Sequence, residues 1–212
     1  DGYQQKAGVP WICYSPIDSV PAAPRTVAVM KQARFPLVYS KFGLDQMRKA
    51  GVECDYVPHG IDCEVFKPGD KGRARRELGL PENAFICAMV AANKGYPSRK
   101  AFPEQLSAFA MFKQKHPEAL LFLHTQKTPI GYWADGINFD ALLRDLGLDD
   151  VYFSNEYLSS QGLFTEQDVA TVYQAADVLL AASYAEGFGL PIAEAQASGC
   201  PVITTNFSSM PE

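Results

Sequence analysis

The residues best suited to chemistry lie in one segment, YAEGFGLPIAEAQASG, which runs from residue 184 to residue 199. Pro191 suits the first turn of a helix, where its missing N–H is not needed. Glu194 then falls in that first turn, and Glu186 lies in the loop before it. The two glycines of this loop allow close approach of a ligand, and the unpaired N–H groups of a helix start can hold a phosphate. Since carboxylates accept hydrogen bonds from hydroxyl groups, the segment predicts a ligand with a central diphosphate and a polyol on either side.

This segment has two other possible interpretations. A dinucleotide fingerprint fails, because Ile192 stands where the pattern requires a third small residue. A plain helix start with two solvated glutamates fits the local sequence and stays open at this level.

A second candidate site is the basic stretch NKGYPSRK, residues 93–100, which follows an apolar strand and precedes a helix. Its three cations are Lys94, Arg99 and Lys100. Positive charge in such a loop can bind a diphosphate at the edge of a parallel sheet. A solvated basic loop with no ligand explains the same residues equally well from sequence alone.

The elements that must position these residues alternate between strands and helices, which predicts parallel sheets. Residues 11–60 contain a βαβ pattern, with apolar strands around Trp11–Ile17, Leu37–Ser40 and Asp55–Val57 and a helix over Lys41–Ala50 that stops at Gly51. The later strands are expected at Phe85–Val90, Leu120–Leu123, Val151–Phe153, Val178–Ala181 and Pro201–Thr204. The later helices are expected at Arg73–Leu78, Phe102–Lys115, Phe139–Leu146, Glu166–Ala175 and Pro191–Ser198.

This order predicts an α/β chain with a Rossmann-like doubly wound parallel sheet and a partial second α/β domain at the N-terminus. We expect residues 1–60 to be the end of the first domain, 61–72 to be a linker, and 73–212 to form the ligand-binding domain. A further strand is expected beyond Glu212, so we expect the natural chain to be longer at both ends. Ligands of such sheets bind outside the carboxyl ends of the strands, which is where both candidate sites fall.

Two stretches carry a family resemblance. EGFGLPIAEAQASGCPVITT resembles the E-x7-E segment and following strand of glycosyltransferase family 4, whose members have the GT-B fold, and VPHGIDCEVFKP, residues 57–68, is similar to the linker of that family. The resemblance implies that Glu186 contacts the transferred sugar and that Glu194 holds the ribose hydroxyls. It also implies that the backbone of Phe188, Gly189 and Leu190 faces the diphosphate and the sugar.

The same resemblance assigns roles in the basic loop. The family has an arginine and a lysine six residues apart that grip the donor diphosphate, and Lys94 and Lys100 match those positions, with Arg99 as an adjacent candidate. A lysine at the arginine position loses the bidentate fork. Among other positions, Asp18 is a weak site candidate, and residues 152–155 resemble a segment whose backbone meets the base. His59 and His124 are interpreted as structural.

Composition bounds these interpretations. The chain has 212 residues, 47% of them apolar, and a formal charge of −5, which argues against a broad nucleic-acid-binding face. Five scattered cysteines without a CxxC pair indicate free thiols in a reducing compartment. No apolar run is long enough to span a membrane and no signal peptide is visible. We therefore expect a cytoplasmic protein, with any peripheral membrane contact made by the N-terminal domain.

The resemblance implies a retaining transferase that moves a sugar from a UDP- or GDP-sugar to a hydroxyl of a glycan, lipid or small-molecule acceptor. No Asp-x-Asp motif occurs, so we expect no metal and no other cofactor. Two alternatives remain, namely a nucleotide-sugar-binding module without catalysis of its own and a sugar-nucleotide epimerase with the same fold.

Overall fold

The computed structural model describes residues 8–95, 97–128 and 135–212. The chain divides into two compact units, which are described separately below. The smaller unit comprises the chain up to Gly60 together with residues 185–189 and 206–212, and the larger unit comprises residues 61–184 and 190–205.

The smaller unit is built on a three-stranded parallel sheet. Its elements are β1 (Ile12–Ser15), α1 (Pro24–Met30), β2 (Phe35–Val38), α2 (Lys41–Lys49) and β3 (Asp55–Tyr56), with strand order β1-β2-β3. Ser40 caps α2 by accepting a hydrogen bond from the Gly43 amide at 3.0 Å. The Glu212 carboxylate accepts two further amides of the same helix start, where a negative charge is favoured.

The larger unit contains a five-stranded parallel sheet with strand order β6-β5-β4-β7-β8. Its strands are β4 (Ile86–Val90), β5 (Leu120–His124), β6 (Val151–Phe153), β7 (Val178–Ala181) and β8 (Val202–Thr204). Its helices are α3 (Lys71–Glu77), α4 (Phe102–Lys113), α5 (Phe139–Asp145), α6 (Glu156–Ser160), α7 (Glu166–Ala175) and α8 (Leu190–Ala197). The central strands β4 and β5 are covered on both faces, which is why ICAMV is apolar at every position and LLFLH at every position except the last, His124.

Alternate residues of these strands serve two separate cores. Ile86 and Ala88 pack with the helices α3, α7 and α8 on one face, whereas Cys87 and Met89 pack with α4 and α5 on the other. Helices on both faces of a parallel sheet define the doubly wound arrangement. The predicted α/β fold class is confirmed.

The structure adds to the predicted organisation at residues 61–72 and at two short helices. Ile61, Val65 and Phe66 pack into the core of the larger unit and α3 begins at Lys71, so residues 61–72 are part of that unit and not a free linker. The short helices α1 and α6 were not predicted. They have seven and five residues, which is too short for a periodic apolar pattern to stand out.

An ion-pair network centred on Asp177 joins α3, β4 and β7 at the amino ends of the two strands. Asp177, just before β7, accepts hydrogen bonds from the Arg75 guanidinium at 2.7 Å, the Lys71 ammonium at 2.7 Å and the Ile86 amide at 2.8 Å. The Arg75 side chain is only 4% exposed. The network therefore ties α3 and the start of β4 to β7, the two strands whose far ends carry the candidate site.

Candidate functional site

A cavity of about 520 Å³ opens at the carboxyl ends of β4 and β5 in the larger unit. The residues that line it come from the loop after β4, from the end of β5 and from the first turn of α8: Val90, Ala91, Ala92, Asn93, Lys94, Arg99, Lys100, His124, Thr125, Gln126 and Pro191. The three predicted cations thus share one cavity. The cavity lies at the edge of the sheet where parallel α/β folds bind ligands.

Asn93 fixes the first half of the basic loop. Its side-chain amide donates to the carbonyl oxygens of Gln126 and Ile137 at 2.9 and 2.8 Å, and its Oδ1 accepts from the Ile137 amide at 2.8 Å. The side chain is buried. Asn93 therefore joins the loop after β4 to the chain after β5. Sequence reasoning overlooked this role, because an asparagine beside a lysine in a loop resembles an ordinary turn residue.

Gln105 fixes the second half of the same loop. Its Nε2 donates to the Lys100 carbonyl oxygen at 2.8 Å, and its Oε1 accepts from the Ala182 amide at 3.0 Å. The Tyr184 amide also donates to the Arg99 carbonyl oxygen at 3.0 Å. The backbone of both cations is thereby anchored to the end of β7. The sequence predicts that Gln105 lies on α4, but it does not predict these hydrogen bonds to Lys100 and Ala182.

Ala101 adds local strain next to Lys100. It adopts a left-handed conformation with φ 50° at the N-cap of α4, although it is not a glycine. Such conformations are costly and persist where the surrounding contacts hold them. Gln105, which bonds the carbonyl just before Ala101, is one of those contacts.

His124 ends β5 at the uncharged side of the cavity. Its Nδ1 lies 2.6 Å from the hydroxyl oxygen of Ser154, and its ring packs against Phe164 with centroids 4.8 Å apart. Burial lowers the pKa of the imidazole, and the nearby charge of Asp168 opposes that shift in part. His124 thus packs and makes a hydrogen bond, as the structural interpretation predicts, and it also lines the cavity wall.

Glu194 is held by a buried tyrosine. The Tyr173 hydroxyl donates to Glu194 Oε2 at 2.8 Å. Burial raises the pKa of Glu194, whereas the hydrogen bond from Tyr173 lowers it, and the charge of Glu166 raises it again. The helix α8 begins at Leu190, so Glu194 is its fifth residue and lies just past the first turn in which the sequence had placed it. Glu194 is not among the residues that line the 520 Å³ cavity.

The segment that precedes α8 belongs to the smaller unit. The Glu186 amide donates to the Ser208 hydroxyl at 3.0 Å, and the Glu186 carbonyl accepts from the Ser209 hydroxyl at 2.8 Å. An added Cβ on Gly187 would overlap the Cβ of Pro16, so this position requires glycine. Both hydroxyl contacts bridge to residues that the sequence pattern had not singled out.

An aromatic cluster surrounds the predicted diphosphate-facing residue Phe188. Its ring packs against His59 with centroids 5.1 Å apart, and His59 in turn contacts the rings of Tyr14 and Tyr39. The structural role expected for His59 is what the structure shows. Asp18, the other candidate in the smaller unit, is partly buried.

The structure thus brings Lys94, Arg99 and Lys100 together with the start of α8. Since Glu186, Phe188 and Gly189 lie in the other unit, their placement relative to these cations stays a prediction. Within the described ranges, no group of three or more His, Cys, Asp and Glu side chains is arranged to hold a metal ion. None of the helices in those ranges is long and apolar enough to cross a membrane.

Comparison with known proteins adds to this geometry. The sequence model of the family "Glycosyl transferases group 1" matches residues 70–212. A D-inositol 3-phosphate glycosyltransferase of Corynebacterium kroppenstedtii is 38% identical over 162 residues, which is 74% of this chain and 34% of the relative. One from Saccharomonospora viridis is 35% identical over 73% of this chain and 35% of its own length. The chain therefore spans about a third of the curated relatives it matches.

Solved structures with the same fold include a sucrose-phosphate synthase from Thermosynechococcus elongatus. It superposes with a TM-score of 0.78 over 99% of this chain and 54% of that one, at 23% identity. The glycosyltransferase WaaG, involved in lipopolysaccharide biosynthesis, superposes with a TM-score of 0.67 over 99% of this chain and 63% of its own, at 18% identity. These likenesses show the GT-B type of α/β fold. The family match over residues 70–212 and the sequence relatives show that this chain belongs to the glycosyl transferases group 1.

Proposed function

We propose that this chain forms the donor-binding part of a retaining glycosyltransferase that uses a UDP- or GDP-sugar. The observation that carries the proposal is the cavity in which Lys94, Arg99 and Lys100 meet the first turn of α8. The carbonyl oxygens of Arg99 and Lys100 accept hydrogen bonds from the Tyr184 amide and the Gln105 side chain, so the backbone that carries these two cations is fixed before a ligand arrives. Preorganised positive charge of this kind suits a diphosphate.

The chemistry follows from where charge develops. When the bond between the sugar and the diphosphate breaks, close to one negative charge moves onto the leaving diphosphate. The basic side chains and the amides at the start of α8 stabilise that charge, each by about 2–4 kcal/mol if they resemble other preorganised donors. By family resemblance, Glu194 binds the ribose hydroxyls through the carboxylate that Tyr173 orients. By the same resemblance, Glu186 and the backbone of Phe188, Gly189 and Leu190 meet the sugar.

The finer features of the proposal rest on the resemblance and on the named relatives. We propose transfer with retention and without a divalent metal. The relatives named D-inositol 3-phosphate glycosyltransferases make a phosphorylated polyol the first small-molecule acceptor to try. Their likeness to this chain covers about a third of their length, so glycan and lipid acceptors belong in the same panel.

Calorimetry tests donor binding directly. We expect UDP or GDP to bind this chain in the presence of EDTA, and Lys100→Ala to weaken the affinity about 10- to 100-fold, because a charge-assisted hydrogen bond contributes roughly 1.5–3 kcal/mol. Lys115→Ala is the matched control, because Lys115 is an exposed lysine that lies between α4 and the start of β5, at the opposite edge of the sheet. If the chain binds neither nucleotide, the proposal is wrong.

Turnover tests the catalytic part of the proposal. With a protein that contains this chain and an acceptor panel, we expect Glu186→Ala to abolish sugar transfer and donor hydrolysis while nucleotide binding persists. Nucleotide binding without turnover for any acceptor would instead support a binding module without catalysis.

A further inference from the structure

The cavity has two chemically different sides. Lys94, Arg99 and Lys100 come from the loop after β4, whereas His124, Thr125 and Gln126 form an uncharged polar wall at the end of the neighbouring strand β5. The two sides are adjacent, since Val90 and His124 are register partners at the ends of β4 and β5. A ligand with a charged part and an uncharged polar part matches this division, and a bare phosphate ion does not.

The uncharged wall carries polar atoms that the protein itself does not use. Within the part of the chain that the structure describes, Nε2 of His124 has no hydrogen-bond partner, because the single hydrogen bond of the ring is the one between Nδ1 and Ser154. The Thr125 hydroxyl is buried, and it too has no partner among the described residues. Buried polar atoms are normally paired, so the unpaired Thr125 hydroxyl is unusual. His124 is only partly buried and lines the cavity, so its unpaired Nε2 can pair with a ligand there.

The His124 ring is held in one orientation. Ser154, in the turn after β6, bonds Nδ1 at 2.6 Å, and the ring of Phe164 meets its edge. A serine hydroxyl both donates and accepts, so the pair permits either neutral tautomer of the imidazole. Nε2 can then donate to a carbonyl oxygen or accept from a hydroxyl or an amine, which are the groups of a nucleoside.

We propose that His124, oriented by Ser154, hydrogen-bonds through Nε2 to the nucleoside of the bound nucleotide, so that the end of β5 distinguishes a nucleoside diphosphate from bare pyrophosphate. This inference rests on the proposed function, because it assigns the basic side of the same cavity to the diphosphate. Thr125 contributes its buried hydroxyl to the same contact. His124 is thus a specificity-determining residue, and Ser154 is a positioning residue that acts through it.

Calorimetric titration of UDP, GDP and inorganic pyrophosphate into the chain tests the inference. We expect His124→Phe, which keeps an aromatic ring against Phe164, to weaken binding of the preferred nucleoside diphosphate about 3- to 10-fold, as the loss of one hydrogen bond predicts. Binding of pyrophosphate should not change. The matched control is His116→Phe, because His116 stacks on Phe112 at the exposed end of α4 and does not line the cavity.

Substitutions of Ser154 provide a second, independent test of the inference. Ser154→Ala should reduce the preference for nucleoside diphosphate over pyrophosphate, and Ser154→Thr, which keeps the hydroxyl, should restore it. A purely structural role would weaken both ligands together. If His124→Phe does not fold, as judged by its thermal melt, His124→Leu, which also lacks a hydrogen-bonding group, replaces it in the same titrations.

The outcomes separate the two claims. If the wild-type chain binds no nucleoside diphosphate, the proposed function fails and this inference fails with it. If the wild-type chain binds one but His124→Phe binds it equally well, or loses pyrophosphate to the same degree, the inference is overturned and the proposed function stands.

Discussion

Tyr173→Phe removes one hydroxyl group from the interior of the larger unit and nothing else. Tyr173 is 1% exposed and packs near Phe66, with ring centroids 6.1 Å apart. Its hydroxyl donates to Glu194 at 2.8 Å. Phenylalanine fills the same space, so the change isolates the hydrogen bond to the carboxylate that we assign to the ribose.

The expected magnitude follows from the type of bond. A hydrogen bond to a charged group contributes roughly 1.5–3 kcal/mol to the free energy of unfolding. Removing the hydroxyl leaves the Glu194 carboxylate without this partner, so the protein loses about that much stability. For a chain of this size each kcal/mol shifts the melting temperature by about 2–4 °C, so we expect Tyr173→Phe to melt roughly 3–12 °C lower. Burial raises the pKa of Glu194 and the tyrosine hydroxyl lowers it, so the substitution should raise that pKa further.

Thermal unfolding, monitored by circular dichroism, measures the loss of stability. Titrations with UDP and GDP measure whether the substitution also weakens nucleotide binding. Tyr184→Phe is the matched control, because the Tyr184 hydroxyl donates to Glu104 at 2.7 Å on the exposed surface, where water replaces it. We expect a clear loss of stability and of nucleotide affinity for Tyr173→Phe alone. Equal melting temperatures for the two variants would refute the claim that Tyr173 holds Glu194.

Three further predictions concern other parts of the chain. Asp177→Asn should cost about 3 kcal/mol or more in urea unfolding, because it leaves the buried Arg75 guanidinium without its anion; a loss below about 1 kcal/mol would contradict this. His124→Gln should flatten the dependence of stability on pH: burial lowers the pKa of His124, so the unfolded chain binds the extra proton, and the wild type should lose stability as the pH falls from about 8 towards 5. A wild-type profile parallel to that of the variant would show that His124 does not cause the loss. Gly187→Ala should destabilise the smaller unit by about 1–3 kcal/mol, because its Cβ would overlap Pro16, and an unchanged melting curve would contradict that contact.

The larger sheet was predictable because its central strands are short runs of apolar residues. ICAMV is apolar at every position, as is typical of a strand covered on both faces, and the helix after it has a proline in its first turn, where proline is favoured. Residues 61–72, interpreted as a linker, include Phe66, which packs into the core of the larger unit. Proline, glycine and charge look alike in a loose linker and in a segment that crosses a packed surface.

The candidate site also contains residues that the sequence predicts and residues that only the structure identifies. The basic loop and the two glutamates could be found from residue types and spacing, because they are close in sequence to the strand and helix that carry them. Asn93, Gln105 and Tyr173 could not, since each acts on a residue far along the chain: Asn93 bonds Ile137, Gln105 bonds Ala182, and Tyr173 bonds Glu194. Nothing in the local pattern around these three distinguishes them from ordinary loop or helix residues.

What the sequence by itself determined was the set of elements, their parallel order and the chemical character of the strand ends, because periodicity, glycine and proline act within a few residues. Only the tertiary structure decided which polar groups share a cavity and which hold each other in place. Those choices depend on side chains brought together by the order of strands in the sheet, where β4 lies between β5 and β7 although the chain visits β5 and β6 in between. Hence the uncharged wall formed by His124 beside the basic loop became visible only in the folded chain.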